Sequence, residues 1–387
     1  MFLLTVLSTP GTSELLRIIC KFLDKDNLLK LCLLCRCTSS ISSEGLYRCL
    51  TSERMPPLHR AIRCARLDVA ARLLDKYQAD INSDYASKTP LLLAIELRYP
   101  EAVEFILRYE SVDINCVDFG GNGILSLAVT NGSLTIVERL LHFGSVNINH
   151  QSPNGASAVF HALEHGQFYM LQLLLSDSRT NVNVKNYAGQ TPLHVAVRRG
   201  GYVGIQIMAK HSRTDVNCVD QNGDTPLLLA VKSFNRGGSI QSVDSLLLNR
   251  DLNINHQDSD GRTALWHAIK HGDTSLVELL LRQNNLTLNN VDRWGFTPLA
   301  RGVENESILL VKLFLRQPGI SINACSNDVV PPLWAACCAG RYDAVTLLVG
   351  QSSIDVNEKG PSGTTPLQVA TINGHSLIVS ALLHHMS

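Results

Sequence analysis

One short pattern recurs along most of the chain at an interval of about 34 residues. Its clearest copy runs from Thr191 to Ala196. If the leucine of this copy is taken as an anchor, ten equivalent positions follow: Leu58, Leu91, Leu125, Val159, Leu193, Leu227, Leu265, Leu299, Leu333 and Leu367. Successive anchors are 33, 34, 34, 34, 34, 38, 34, 34 and 34 residues apart. Such a period predicts a solenoid, in which each repeat buries its apolar face only against its neighbours.

The residues around each anchor predict two helices per repeat. A threonine that can cap a helix lies two residues before six anchors: Thr89, Thr191, Thr225, Thr263, Thr297 and Thr365. Proline commonly follows at the first helical position, where a missing N–H costs little. A small residue lies three positions after every anchor, and glycine often ends this first helix. A second apolar helix and an Asp-Ile-Asn type segment complete the repeat, as in residues 355–357. We therefore expect an all-α fold.

These motifs resemble the ankyrin repeat, whose Thr-Pro-Leu-His-x-Ala helix start is matched by Thr191 to Ala196. The resemblance covers residues 55–387 and implies about ten helix-turn-helix repeats with β-turn fingers. Repeats three and four depart from it, because Gly123-Ile124 and Ser157-Ala158 replace Thr-Pro. Repeat eight has Gly302 at the small position, and repeat six contains four extra residues near 235–238. We interpret this insertion as a longer turn between two helices.

Residues 1–54 lack the period and predict a small head of three helices. They resemble an F-box through Glu14-Leu15-Leu16, Phe22-Leu23 and Leu46-Tyr47. The position of Pro10, the intervening Asn27 and the Leu34-Cys35-Arg36 segment depart from the F-box pattern. The resemblance implies that a Skp-type adaptor docks on the apolar residues Leu15, Leu16, Ile19, Leu23, Leu28 and Leu31. The alternative is a helical cap that shields the first repeat from solvent.

Composition limits the classes of partner and the compartment. The 34 basic and 34 acidic side chains balance, which argues against a general nucleic-acid binder. No apolar run approaches the roughly 20 residues of a membrane-spanning helix, so we expect no membrane partner. The 11 cysteines are scattered, which is typical of free thiols in a reducing compartment. We therefore expect a cytoplasmic or nuclear protein.

Motifs of enzymes and metal sites are weak in this sequence. There is no phosphate-binding loop and no nucleophile turn. His161 and His165, like His267 and His271, have the i, i+4 spacing of metal ligands, but both pairs occupy the same position in their repeats. We interpret these pairs as repeat inheritance. The apolar setting of Cys32, Cys35 and Cys337-Cys338 indicates buried thiols. We predict no catalytic residue, no metal and no cofactor.

The ankyrin resemblance implies a protein partner on the concave face, held by finger tips and by the exposed side of the first helices. Tyr85, Phe119 and Tyr187 lie at the tip position six residues before an anchor, and Trp294 lies one residue further on. Exposed aromatics are typical of protein-binding surfaces, although some can fold back onto the next finger.

Basic residues recur after three successive anchors and predict a short cationic stripe on the same face. Its members are Arg198, Arg199, Lys232 and Lys270. Such a stripe can attract an acidic partner segment, and the alternative is an ordinary solvated face. Together, the ankyrin and F-box resemblances imply a non-catalytic interaction protein that is a substrate-recognition subunit of a Skp–cullin–F-box ubiquitin ligase. The alternative is a scaffold or inhibitor with no ligase linkage.

Overall fold

The structure, a computed structural model, describes residues 55–305, 307–323 and 329–386. The chain divides into two compact units, Met1–Pro153 and Asn154–Ser387. The predicted head and all six of its proposed adaptor contacts lie outside the described residues.

Each of the ten anchors lies in the first helix of a helical pair. Among the described residues of the first unit the pairs are α1 Pro57–Arg63 and α2 Leu67–Asp75, α3 Pro90–Glu96 and α4 Pro100–Leu107, and α5 Ile124–Thr130 and α6 Leu134–Leu141. The second unit has α7 Ala158–Glu164 and α8 Phe168–Ser176, α9 Pro192–Arg199 and α10 Tyr202–Lys210, α11 Pro226–Lys232 and α12 Ile240–Leu247, α13 Ala264–His271 and α14 Thr274–Leu281, α15 Pro298–Glu304 and α16 Ile308–Leu315, α17 Pro332–Cys338 and α18 Tyr342–Val349, and α19 Pro366–Ile372 and α20 Ser376–Met386. The described ranges contain isolated β-bridges but no strand, so the prediction of an all-α repeat fold is confirmed.

The first helices begin at the residues that the repeat pattern predicts. The hydroxyl oxygen of Thr225 accepts a hydrogen bond from the Leu228 N–H, and Thr297 accepts one from Ala300 in the same way. In the third and fourth repeats Gly123 and Ser157 occupy the cap position, and neither provides a side-chain cap. Helix α13 ends at His271 and is capped by Gly272, whose φ of 72° is a left-handed conformation that glycine adopts without a steric penalty.

The core of each unit is a layer of apolar side chains between neighbouring repeats. In the second unit each of the first helices α9, α11 and α13 packs on the first helix of the next repeat, up to α15. Each first helix also packs on the second helix of its own repeat. The anchors Leu193 and Leu265 are fully buried, and so is Ala268 at the small position. A small side chain at this position permits close packing, which explains why alanine or glycine recurs there.

The four extra residues of repeat six form the expected longer turn. A single 3₁₀ turn, Phe234–Arg236, separates α11 from α12. The side-chain amide of Asn235 donates a hydrogen bond of 2.8 Å to Nδ1 of His271 at the end of α13. The insertion is therefore tied to the following repeat. No helix within the described ranges has the length and hydropathy needed to cross a bilayer.

Candidate functional site

An aspartate or asparagine seven residues before the anchor shapes each finger in the middle of the second unit. Oδ1 of Asp258 accepts hydrogen bonds from the N–H groups two and four residues later, at distances of 3.0 and 3.0 Å. Asp292 forms the same turn, with distances of 2.9 and 3.0 Å, and Asn186 and Asp220 repeat it. An oxygen that accepts two backbone donors defines a tight Asx turn. The next residue is consequently presented at the finger tip.

The predicted tip aromatics differ in their exposure. Phe119 in the first unit is 91% exposed, and Tyr187 and Trp294 in the second unit are 71% and 44% exposed. Tyr85 is only partly exposed, since its ring packs edge-on against His59 with a centroid distance of 5.8 Å. Three of the four aromatic side chains are therefore open to a partner. Their role in binding stays a prediction.

Backbone hydrogen bonds join neighbouring fingers in the second unit. The N–H of Gln221 donates to the carbonyl of Ala188 at 3.2 Å, and that of Arg293 donates to the carbonyl of Asp260 at 2.9 Å. The second bond places the tip of repeat eight, Arg293 and Trp294, directly beside Arg262 of repeat seven.

This contact creates an ordered stack of indole and guanidinium groups. The guanidinium carbon of Arg262 lies 4.4 Å from the ring centroid of Trp266 and 4.7 Å from that of Trp294. Arg293 lies 4.8 Å from the Trp294 centroid, and the Lys270 ammonium lies 5.6 Å from that of Trp266. All these distances fall within the range of cation–π attraction. We call Arg262, Trp266, Lys270, Arg293 and Trp294 the tryptophan–arginine surface.

Asp292, which is fully buried, supports this surface from beneath. Its Oδ2 accepts hydrogen bonds from the Trp266 indole N–H at 3.0 Å and from Arg301 at 3.0 Å. The Arg301 guanidinium also lies 3.7 Å from the ring centroid of Phe296. Because both indole and guanidinium are bound to one carboxylate, the Trp266 ring is held in a single orientation.

Asp258 has the equivalent role one repeat earlier. Its Oδ2 contacts His267 Nε2 at 2.9 Å and the Lys232 ammonium at 3.0 Å. Burial opposes ionisation of Asp258, but hydrogen bonds from His267, the Arg262 N–H and Lys232 outweigh it and hold the pKa of this carboxyl well below its usual range. Burial lowers the pKa of His267 to about 4, despite the neighbouring carboxylate. His267 is therefore neutral near pH 7, and its Nε2–H donates to the Asp258 carboxylate.

The predicted basic stripe consists of residues in different surroundings. Lys232 binds Asp224 at 2.5 Å as well as Asp258, and is half-buried between them. Arg198 lies 3.6 Å from Glu164. Arg199 and Lys270 are exposed and form no ion pair with any other described residue. Lys232 therefore stabilises the junction of two repeats, while Arg199 and Lys270 carry the accessible charge.

The histidine and cysteine motifs do not converge on one site. The His161 and His165 rings stack with a centroid distance of 6.4 Å, and His271 is bound by Asn235. Cys337 is buried as predicted, and burial raises the pKa of its thiol to about 12, but Cys338, which was also predicted to be buried, is only half-buried. No group of three or more His, Cys, Asp or Glu side chains in the described ranges is arranged to hold a metal ion.

Sequence reasoning missed three members of the tryptophan–arginine surface: Arg262, Trp266 and Arg293. The sequence signal that could have found the two arginines was their position relative to the repeat anchors. Arg262 lies three residues before its anchor and Arg293 six residues before the next one, and such positions become neighbours only when adjacent fingers stack.

Comparison with known proteins agrees with this architecture. The family model described as "Ankyrin repeats (3 copies)" matches residues 16–118, 125–217, 181–253, 234–326 and 310–387. The ankyrin repeat domain of Bcl-3, described as a unique member of the IκB protein family, has a TM-score of 0.54 at 22% identity, over 59% of this chain and 99% of that one. The ankyrin repeat protein EF0377 has a TM-score of 0.47 at 26% identity, over 52% of this chain and 100% of its own. The comparison with curated proteins gives no match. Since the family model matches well over half of the sequence and the helical pairs follow its repeat, the chain belongs to the ankyrin-repeat family.

Proposed function

We propose that this chain is a non-catalytic recognition protein that holds a protein partner on the finger tips and first helices of repeats five to eight. The observation that carries the proposal is the exposed Tyr187 ring on a finger whose backbone is fixed by Asn186. A large exposed ring on a rigid finger offers apolar contact area without the entropic cost of ordering the backbone, and tyrosine is enriched among interface hot spots. Ankyrin repeats generally bind protein partners, and no catalytic family is indicated.

The partner can be identified by proximity labelling in cells and confirmed with purified proteins. We then expect Tyr187→Ala to weaken its affinity about tenfold or more. Tyr169→Ala is the matched control, because Tyr169 is also a highly exposed tyrosine (82%) but lies on a second helix, α8. Equal effects of the two substitutions, or no effect of either, would contradict a finger-tip site. A Tyr187→Ala/Trp294→Ala variant extends the test along the same row of fingers.

The finer proposal is that the partner is a ubiquitination target and that residues 1–54 dock a Skp-type adaptor. It is supported by the F-box-like sequence alone. The ankyrin family model matches from residue 16 onward, so it assigns part of the same segment to ankyrin repeats instead. We propose a cytoplasmic or nuclear location, which is supported by the 11 scattered cysteines that are typical of a reducing compartment. In this arrangement the repeats present the target, and ubiquitin transfer belongs to other subunits.

Adaptor binding separates this proposal from a plain scaffold or inhibitor. We expect the full chain to retain the purified adaptor in a pull-down and Leu15→Asp/Leu28→Asp to lose it. Leu377→Asp, at an exposed leucine of α20, is the control for introducing an aspartate. If the wild-type chain does not bind the adaptor, the ligase linkage is wrong while the partner-binding function is unaffected.

A further inference from the structure

The carboxylates around the tryptophan–arginine surface are either buried or paired with arginine. The side chains of Asp258 and Asp292 are buried, with 5% and 0% exposure, and their oxygens are occupied by the hydrogen bonds described above. Asp260 is shared between Arg262 at 2.8 Å and Arg293 at 2.6 Å. One carboxylate therefore serves two guanidinium groups, and the nearby Glu304 is paired with Arg301 at 2.7 Å.

The most exposed groups at this surface are cationic and aromatic, whereas the paired carboxylates Asp260 and Glu304 are 26% and 36% exposed. The Arg293 side chain is 60% exposed, and Lys270 is exposed with no ion pair to another described residue. The exposed Trp294 ring is held in place by Arg262 and Arg293, and its indole N–H donates to no described residue. The surface thus presents a fixed apolar ring beside two cations whose hydrogen-bonding capacity is not exhausted.

We propose that this surface is the contact for an acidic segment of the protein partner, in which an apolar side chain packs on Trp294 and flanking Asp or Glu carboxylates pair with Lys270 and Arg293. The inference rests on the proposed function and specifies the chemistry of its partner. Charge complementarity selects this occupant, because the carboxylates in this region are buried or paired, while the most exposed charged side chains, Lys270 and Arg293, are positive. A preorganised guanidinium–indole stack also lowers the entropic cost of binding.

The test uses the full chain and a phage-displayed library of random dodecapeptides as the probe. We expect the selected peptides to be rich in Asp and Glu around an apolar residue. Synthetic fluorescent copies should bind in an anisotropy assay with an affinity that falls as salt is raised. Trp294→Ala and Lys270→Glu/Arg293→Glu should each weaken binding at least about tenfold.

Two control variants match these substitutions. Tyr342→Ala removes a ring of the same exposure, 43% against 44%, on α18, and Arg282→Glu reverses an exposed charge at the end of α14. Both should leave peptide affinity unchanged. Lys270→Gln removes a charge that forms no ion pair with a described residue, so this variant can be tested even if the double variant unfolds. It should also weaken peptide binding.

Two results would overturn the inference: selected peptides that are neutral or basic, and acidic peptides whose affinity is the same for Trp294→Ala and wild type. If the identified partner still depends on Tyr187 in either case, the proposed function holds and only the acidic-segment inference fails. If the partner depends on neither Tyr187 nor the tryptophan–arginine surface, both are wrong.

Discussion

Asp258 and Asp292 each serve two functions at the residue scale. One carboxylate oxygen shapes the finger turn, and the other binds side chains of the first helices. A buried carboxylate is costly unless it is fully hydrogen-bonded, and here the donors are backbone N–H groups of the same finger and side chains of the first helices. The same residues therefore fix the backbone of the tip and the orientation of the Trp266 ring beneath it.

Because His267 is buried and neutral, stability should depend on pH. Its pKa is lowered from 6.5 to about 4 in the folded chain, so the unfolded chain binds a proton first as pH falls. The free energy of unfolding should therefore decrease between pH 6.5 and about 4, by up to about 3 kcal/mol from this group. Urea titrations across this range should show a shallower decrease for His267→Gln.

His385→Gln is the control for this experiment, since His385 is exposed on α20. It should retain the pH dependence of the wild type. If His267→Gln retains it as well, the burial of a neutral His267 does not cause the effect.

At the scale of the element, an asparagine ladder joins the loops of successive repeats. In the second unit each of its members donates through Nδ2 to a carbonyl of the next repeat and accepts through Oδ1 from an N–H of that repeat. The members are Asn183, Asn217, Asn255, Asn289 and Asn323. These asparagines close the Asp-Ile-Asn type segments, so a residue that looks like loop filling in the sequence is an inter-repeat link.

Asn217→Ala should lower stability by about 1 to 2 kcal/mol, because it removes one donor and one acceptor between repeats. Asn357→Ala is the matched control, since this side chain occupies the same repeat position but bonds to no described residue. Thermal unfolding followed by circular dichroism should show a lower midpoint only for Asn217→Ala. Similar shifts for both would mean that the ladder contributes little.

Gly302→Ala should stabilise α15. The sequence places a glycine where nine other repeats have alanine, and the structure shows that an added Cβ would lie 3.6 Å from the Phe314 ring, an ordinary contact. The helix should gain roughly 0.5 to 1 kcal/mol. Denaturant unfolding measures the change.

Gly155→Ala provides the opposite case. Gly155 has a φ of +79°, and an added Cβ would lie 2.8 Å from Asn186 Cα, so this variant should lose stability. A loss of stability in Gly302→Ala as well would show that Phe314 cannot accommodate the methyl group.

At the scale of the whole molecule, hydrophobic stabilisation is distributed over interfaces between neighbouring repeats in each unit. In the second unit, first helices pack on first helices and second helices on second helices. Stability in such an array is approximately a sum of repeat and nearest-neighbour contributions. All three tryptophans, Trp266, Trp294 and Trp334, lie in repeats seven to nine.

A core substitution in repeat four should therefore act locally. Leu171 is fully buried on α8, and Leu171→Ala should cost about 2 to 5 kcal/mol in its own region. We expect circular dichroism to lose signal at lower urea concentration while the midpoint of tryptophan fluorescence moves less. Equal shifts in both signals would indicate that the second unit unfolds as a single cooperative block.

The sequence by itself determined the period, the helical pairs and the finger turns. The helical pairs and the finger turns depend on residues a few positions apart, such as Thr225 and the Leu228 N–H, and their repetition about every 34 residues makes the weak local signals unambiguous. It also identified the exposed tips at Phe119 and Tyr187, because a tip position follows directly from the turn.

Only the tertiary structure decided the tryptophan–arginine surface and the role of Lys232. Arg262 and Trp294 belong to different repeats, and Lys232 is neutralised by carboxylates from two fingers. Which side chains meet across a repeat boundary depends on how adjacent fingers stack and which rotamers that stacking permits. These are properties of packing between repeats, and the pattern within one repeat does not contain them.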